Sequence, residues 1–553
     1  MSSILPPRGR STKPSTRSPL IEPIIDVLLL DGHSLRLSDA VETGRRRVRV
    51  IEMSGSAKQL CEESAALKRR LVDTGQAIYG VTTGFGDSAS RQISSERTAA
   101  LQRNLVTYHL NGTGPIAPAE VVRATMLIRA NCLARGVSGV RPRVIENLLI
   151  LLRNDVLPMI PERGSVGASG DLVPLCYLAA ALQGEGDVRH DGIVRSSLEA
   201  HRLLGMQPLQ LEAKEGLALI NGTSFMSAFA VLAAANAAEL AHVAELCSAL
   251  AVEALGGNRG HYAAFLSAHK PHPGQVATAR RMSEYLADSE LALDHDVVLG
   301  RNDPIAKKDY QQLKGRMQDS YSVRCAPHVI GVLHDTLAWV DSWLEVEINS
   351  ANDNPLFDVE VGVVRSGGNF YGGHVGQAMD SLKVATASVA DLLDRQLQLV
   401  VDEKFNHGLT PNLISQRAAT EEPGLHHGYK GMQIACSSLT AEALKQSNPS
   451  TVFSRSTEAH NQDKVSMGTI AARDARTVVE LTTEVIAIHL HAMCQALDLR
   501  GVEKAGSAAR RAYAAVREVV APLTYDRRMD GDIEVLTQMI KSGELRSAIE
   551  HDA

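Results

Sequence analysis

The chain has 553 residues, a formal net charge of −6, seven cysteines and only 4% aromatic residues. The acidic balance argues against a general polyanion-binding surface, so neither nucleic acid nor an anionic membrane is an expected partner. The cysteines are scattered and form no C-x-x-C pair, which speaks against a disulfide framework or a zinc cluster and fits a reducing cytoplasm.

Residues 1–23 are rich in Ser, Pro and basic side chains, lack the apolar stretch of a secretory signal, and read as a disordered tail. Residues 24–52 alternate apolar and polar in short pieces (IIDVLLLDG, RRRVRVIEM) and predict a few small strands. Helical spacing begins near residue 56 (AKQLCEESAALKRRLVDTG) and breaks at the Gly/Thr-rich YGVTTGFGDSAS, residues 79–90. It resumes in ERTAALQRNLVTYHL, in VVRATMLIRANCLARG, and across 197–256. The apolar run at 225–255 carries Asn236, Glu239, His242 and Glu245, too polar for a membrane span, and is expected to be a buried core helix. Beyond residue 260, long amphipathic runs starting at His328, Gly372 and Asp474 predict helices long enough for an elongated bundle. The expected fold is mainly α, a long-helix bundle with a small β-containing N-terminal part, divided into residues 24–260 and 261–553. Long helices with apolar stripes bury them against copies of the same chain, so a homo-oligomer is expected.

The most specific stretch is GSVGASGDLVPL, residues 164–175. Gly164, Gly167 and Gly170 do not match G-x-G-x-x-G, and no Gly-Lys-Ser/Thr follows to hold a phosphate. The triplet Ala168-Ser169-Gly170 carries no bulky side chain, so the Gly170 amide nitrogen can approach the Ala168 carbonyl carbon. Loss of water from that ring and from Ser169 would leave a methylidene conjugated to a carbonyl, an electrophile made from protein alone.

Together with YGVTTGFG (79–86), INGT (220–223), QDSYSVRCAP (318–327), NDNP (352–355), GGNF (367–370) and HNQDKVSMG (460–468), this stretch resembles the aromatic amino acid ammonia-lyase and 2,3-aminomutase family over residues 28–540. The resemblance implies the ammonia-lyase (fumarase/aspartase-like) superfamily fold and a homotetramer with an active site shared between subunits. It also implies a 4-methylideneimidazol-5-one (MIO) group formed from Ala168, Ser169 and Gly170, with no metal and no nucleotide. Tyr79 then matches the base that takes the β-proton, on a loop whose Gly86 belongs to a closing lid. Asn221 matches the amide that hydrogen-bonds the MIO carbonyl, and Arg324 the guanidinium that grips the substrate carboxylate. Gln318 and Tyr321 match hydrogen-bonding neighbours of the electrophile, Phe370 an aromatic wall, and Gln462 an amide lining the pocket.

Substrate choice is expected at Tyr108-His109, where phenylalanine lyases resemble Phe-Leu, tyrosine lyases His-Leu or His-Gln, and histidine lyases Ser-His. Tyr108 offers an aromatic face and His109 a polar group at the ring's far edge. Lys430 and Glu458 resemble the Lys and Glu of phenylalanine lyases, a charged pair near the substrate amine. The resemblance thus implies deamination of L-phenylalanine or L-tyrosine to a trans-cinnamate-type acid and ammonia. An aromatic 2,3-aminomutase giving a β-amino acid comes second, and histidine ammonia-lyase third.

Overall fold

The structure, a computed structural model, describes residues 25–305 and 309–550; the expected tail at 1–23 lies outside the described residues. Ile25–Leu30 and Val48–Met53 pair in parallel, with Val27 opposite Val50. Parallel strands need a crossover, and the helix Leu37–Gly44 supplies it. Three more small sheets join Thr113–Ile116 to Pro161–Arg163, Leu157–Pro158 to Asp187–His190 and Ile193–Ser196, and Leu356–Asp358 to Val363–Arg365. None of these strands exceeds four residues, too short for alternation to be read in a sequence.

The rest is mainly helical, as the periodicity predicts. Ser224–Leu255 and Gly468–Arg500, of 32 and 33 residues, pack against each other and against Gly373–Val401, with Ala326–Ile348 and Lys430–Gln446 at the flanks. Ser224–Leu255 is apolar around nearly its whole circumference, and its many alanines let neighbouring helices close on every side. By length and composition both of the longest helices could cross a membrane, yet 78% of the apolar window of each is buried inside the protein. One hydrophobic core runs from Leu28 to Ile549. It passes through residue 260, where the sequence suggested a division, because Ser224–Leu255 lies among the C-terminal helices.

The start of Ser224–Leu255 positions the site. Thr223, its N-cap, makes no side-chain cap; the Asp171 carboxylate, from the loop after Ala168-Ser169-Gly170, accepts the Met226 N–H at 2.8 Å. An acidic group there complements the helix dipole and satisfies one of its free donors.

Candidate active site

The loop of residues 164–171 is held from several directions. Gly170 bridges to Gly222, and the Asp171 N–H donates to the Gly222 carbonyl at 2.7 Å. A Cβ on Gly170 would lie 2.2 Å from the Gly222 oxygen, a backbone atom that cannot yield, so only glycine fits. Ser169 takes a left-handed φ of 53°, and its carbonyl accepts the Asn221 Nδ2–H at 2.8 Å. The Asn354 N–H donates to Asn221 Oδ1 at 2.7 Å, which fixes the amide so that its NH2 faces Ser169. Gln462 Nε2 reaches the Ser169 hydroxyl at 3.4 Å. The loop therefore presents the Ser169 carbonyl to an oriented donor and the Ser169 hydroxyl to an amide, an arrangement that fits closure of residues 168–170 into MIO.

Asp171 lies beneath this loop, fully buried, and accepts from Ser165 Oγ at 3.1 Å and from the Thr469 hydroxyl. Burial pushes its carboxyl up to about 6 against these hydrogen bonds. Sequence reading did not single out Asp171, Ser165, Thr469 or Asn354. Asp171 and Ser165 sit inside the GSVGASGDLVPL run and Asn354 inside NDNP, but their roles, like that of Thr469, emerge only from the contacts that bring these segments together.

Tyr79 stands on the Gly/Thr-rich loop, and the Gly86 N–H donates to its phenolic oxygen at 3.0 Å. The Glu458 carboxylate packs on Gly86 so closely that a Cβ there would sit within 2.0 Å of it, and it accepts the Asp87 N–H at 3.3 Å. Burial, partly offset by the Gly86 hydrogen bond and reinforced by the Glu458 charge, raises the Tyr79 pKa. The Tyr108 ring, 55% exposed, lies 4.3 Å from that of His109. His109 Nδ1 lies 2.9 Å from the Leu105 carbonyl, so Nδ1 carries the proton and Nε2 is left as an acceptor. Burial lowers the His109 pKa and favours this neutral form.

Among the described residues, the other expected ones make no hydrogen bond, ion pair or ring contact with this group. Arg324 stacks on Tyr321, its guanidinium carbon 4.6 Å from the ring centroid, and its buried Nε has no partner among the described residues. Tyr321 is 72% exposed, and Gln318 is exposed beside it. Phe370 is half-buried. Lys430 is exposed at the start of Lys430–Gln446, next to the buried Tyr429, whose hydroxyl lies 2.5 Å from His491 Nδ1. Among the described residues Lys430 makes no ion pair with Glu458, whose neighbours are on the Tyr79 loop. All seven cysteines are free thiols.

The aromatic amino acid lyase family model matches residues 35–518. The histidine ammonia-lyase of Caldanaerobacter subterraneus subsp. tengcongensis is 38% identical over 525 residues, covering 95% of this chain and 98% of its own. Among solved structures, tyrosine aminomutase from Streptomyces globisporus is similar at 35% identity with a TM-score of 0.90, covering 95% of this chain and 99% of its own. Histidine ammonia-lyase from Trypanosoma cruzi is similar at 30% identity with a TM-score of 0.84, covering 95% of each chain. With its loop, its helical bundle and a match over most of its length, the chain belongs to the aromatic amino acid lyase family.

Proposed function

We propose that this protein removes ammonia non-oxidatively from an aromatic L-α-amino acid, phenylalanine or tyrosine, with residues 168–170 closed into MIO. The observation that carries the reading is the Ser169 carbonyl held by Asn221, itself pinned by Asn354. Once formed, the ring supplies an electrophile that takes the amine nitrogen and turns it into a leaving group. The chain's own residues do the rest. Tyr79 removes the β-proton and acts as phenolate, so its activity rises as pH approaches its raised pKa. Asn221 donates to the oxygen on which negative charge develops. Arg324, with an Nε–H that has no partner among the described residues and a stacked aromatic face, binds the substrate carboxylate.

Among the described residues, Arg324, Tyr321, Gln318 and Lys430 make no hydrogen bond, ion pair or ring contact with the Ser169 cluster, so we assign the complete site to neighbouring subunits of a homotetramer. Apolar side chains left exposed on the long helices, among them Val332, Val346 and Ile434, support that assembly.

Glu458 and Lys430, which resemble the Glu and Lys of phenylalanine lyases, favour a phenyl or hydroxyphenyl substrate, and His109 Nε2 can accept a hydrogen bond from a phenol. A histidine substrate is the second reading. It draws on the 38% identity to a histidine ammonia-lyase, and the same Nε2 can accept from an imidazole N–H. Incubation with L-Phe, L-Tyr and L-His, followed by ultraviolet absorbance and chromatography for β-amino acids, separates these readings. Cinnamate or coumarate is expected. Urocanate alone would transfer the assignment to histidine, and a β-amino acid as main product would make the enzyme a mutase.

A further inference from the structure

Four cationic side chains are fully buried among the described residues: Lys68, Lys214, Lys383 and Arg129. Three have a carboxylate: Lys214 reaches Asp353 at 2.6 Å, Lys383 reaches Asp380 at 2.8 Å, and Lys68 reaches Glu212 at 3.5 Å. Arg129 has no ion-pair partner among the described residues. Its one hydrogen bond runs from Nη1 to the Asn221 carbonyl at 3.1 Å, and its Nε and Nη2 have no partner there. An arginine cannot shed its proton, so an unpaired guanidinium in the interior is strongly disfavoured unless its charge is used.

Its location indicates the use. A Cβ on Gly222 would lie 2.0 Å from Arg129 Nη1 and 2.7 Å from Asn352 Oδ1, an acceptor that likewise has no partner among the described residues. The cation thus contacts Asn221–Gly222, the same two residues that hold the Ser169 carbonyl and the Gly170 backbone. Glu347, partly exposed nearby, is taken up by the Thr223 hydroxyl, and desolvation raises its pKa.

We propose that Arg129 is a positioning residue for the chain's self-modification: its uncompensated charge, applied through Asn221–Gly222, favours negative charge on the Ser169 carbonyl oxygen while residues 168–170 close. In the first step the Gly170 nitrogen bonds to the Ala168 carbonyl carbon, and that oxygen leaves as water with the protons of the Gly170 and Ser169 nitrogens. In the second, the Ser169 Cα proton and hydroxyl leave as water and a C=C bond forms; no oxidant is needed. Removing the Cα proton sends the electron pair toward the carbonyl oxygen held by Asn221, and there a nearby unpaired cation lowers the barrier.

The inference rests on the proposed closure of residues 168–170, and intact mass separates the two. Wild type at its encoded mass would refute the closure itself. With wild type two waters lighter, freshly synthesised Arg129→Met and Asn352→Asp chains are compared with it over time. The first removes the charge and the second places a carboxylate beside it. Both are expected to lose the waters at least about tenfold more slowly than wild type, while Arg129→Lys, which keeps the charge, stays near the wild-type rate. Should Arg129→Met not fold, Asn352→Asp decides. Folded neutralised variants that lose both waters at the wild-type rate would overturn the role of Arg129.

Discussion

Ser169 and Tyr79 carry the sharpest expectations. Ser169→Ala should stay folded, keep its encoded mass and show no turnover; normal activity in that variant would remove the cofactor from the account. Tyr79→Phe should lower kcat by about 10²–10⁴-fold, the usual contribution of a positioned base, with a small change in KM. Burial first, and then the Glu458 charge, keep the Tyr79 phenol protonated. Glu458→Gln removes the second influence, so the acid limb of kcat/KM should move to lower pH; a limb that stays in place would show that Glu458 does not set the base. These residues were legible because each sits in a short, specific motif. Arg129 was not, since in VVRATMLIRANCLARG it is one more charge on a helical repeat, and only the approach of Gly222 from 93 positions later reveals it.

At the scale of elements, the junction of the 164–171 loop with the Ser224–Leu255 helix depends on an acid held against its preference. The Asp171 pKa is raised from 3.8 to about 6, so folded chains bind more protons than unfolded ones between those values. Stability from this group is complete below pH 3.8 and is lost as pH rises through 6, a difference of roughly 3 kcal/mol at neutrality. Urea unfolding should show Asp171→Asn gaining on wild type between pH 4 and pH 7; a gap that widens the other way would contradict the burial argument. The long helices were readable because apolar spacing accumulates over many turns. The crossover helix Leu37–Gly44, with eight residues, was too short to separate from the strands on either side. The expected Lys430–Glu458 pair does not form among the described residues of one chain.

For the molecule as a whole, the separation of the Ser169 cluster from Arg324 makes a direct prediction. Co-expression of Ser169→Ala chains with Arg324→Ala chains should restore part of the activity that each variant lacks alone, because mixed tetramers contain sites built from intact residues of both. Mixed tetramers without activity would mean that each chain supplies its own complete site. Size-exclusion with light scattering should give four copies; a stable active monomer would leave the exposed Val332, Val346 and Ile434 unexplained.

The supports of Ser169 come from far along the polypeptide. Asn221 lies 52 positions later, Gln462 lies 293 later, and Thr469 holds the adjoining Asp171 from 298 positions away. A nascent chain leaving the ribosome has made Ala168-Ser169-Gly170 long before it has made what surrounds them. If residues 168–170 close as proposed, the reactive group is expected only after these distant segments have folded around them, and so not on a nascent chain where it could trap cellular amines.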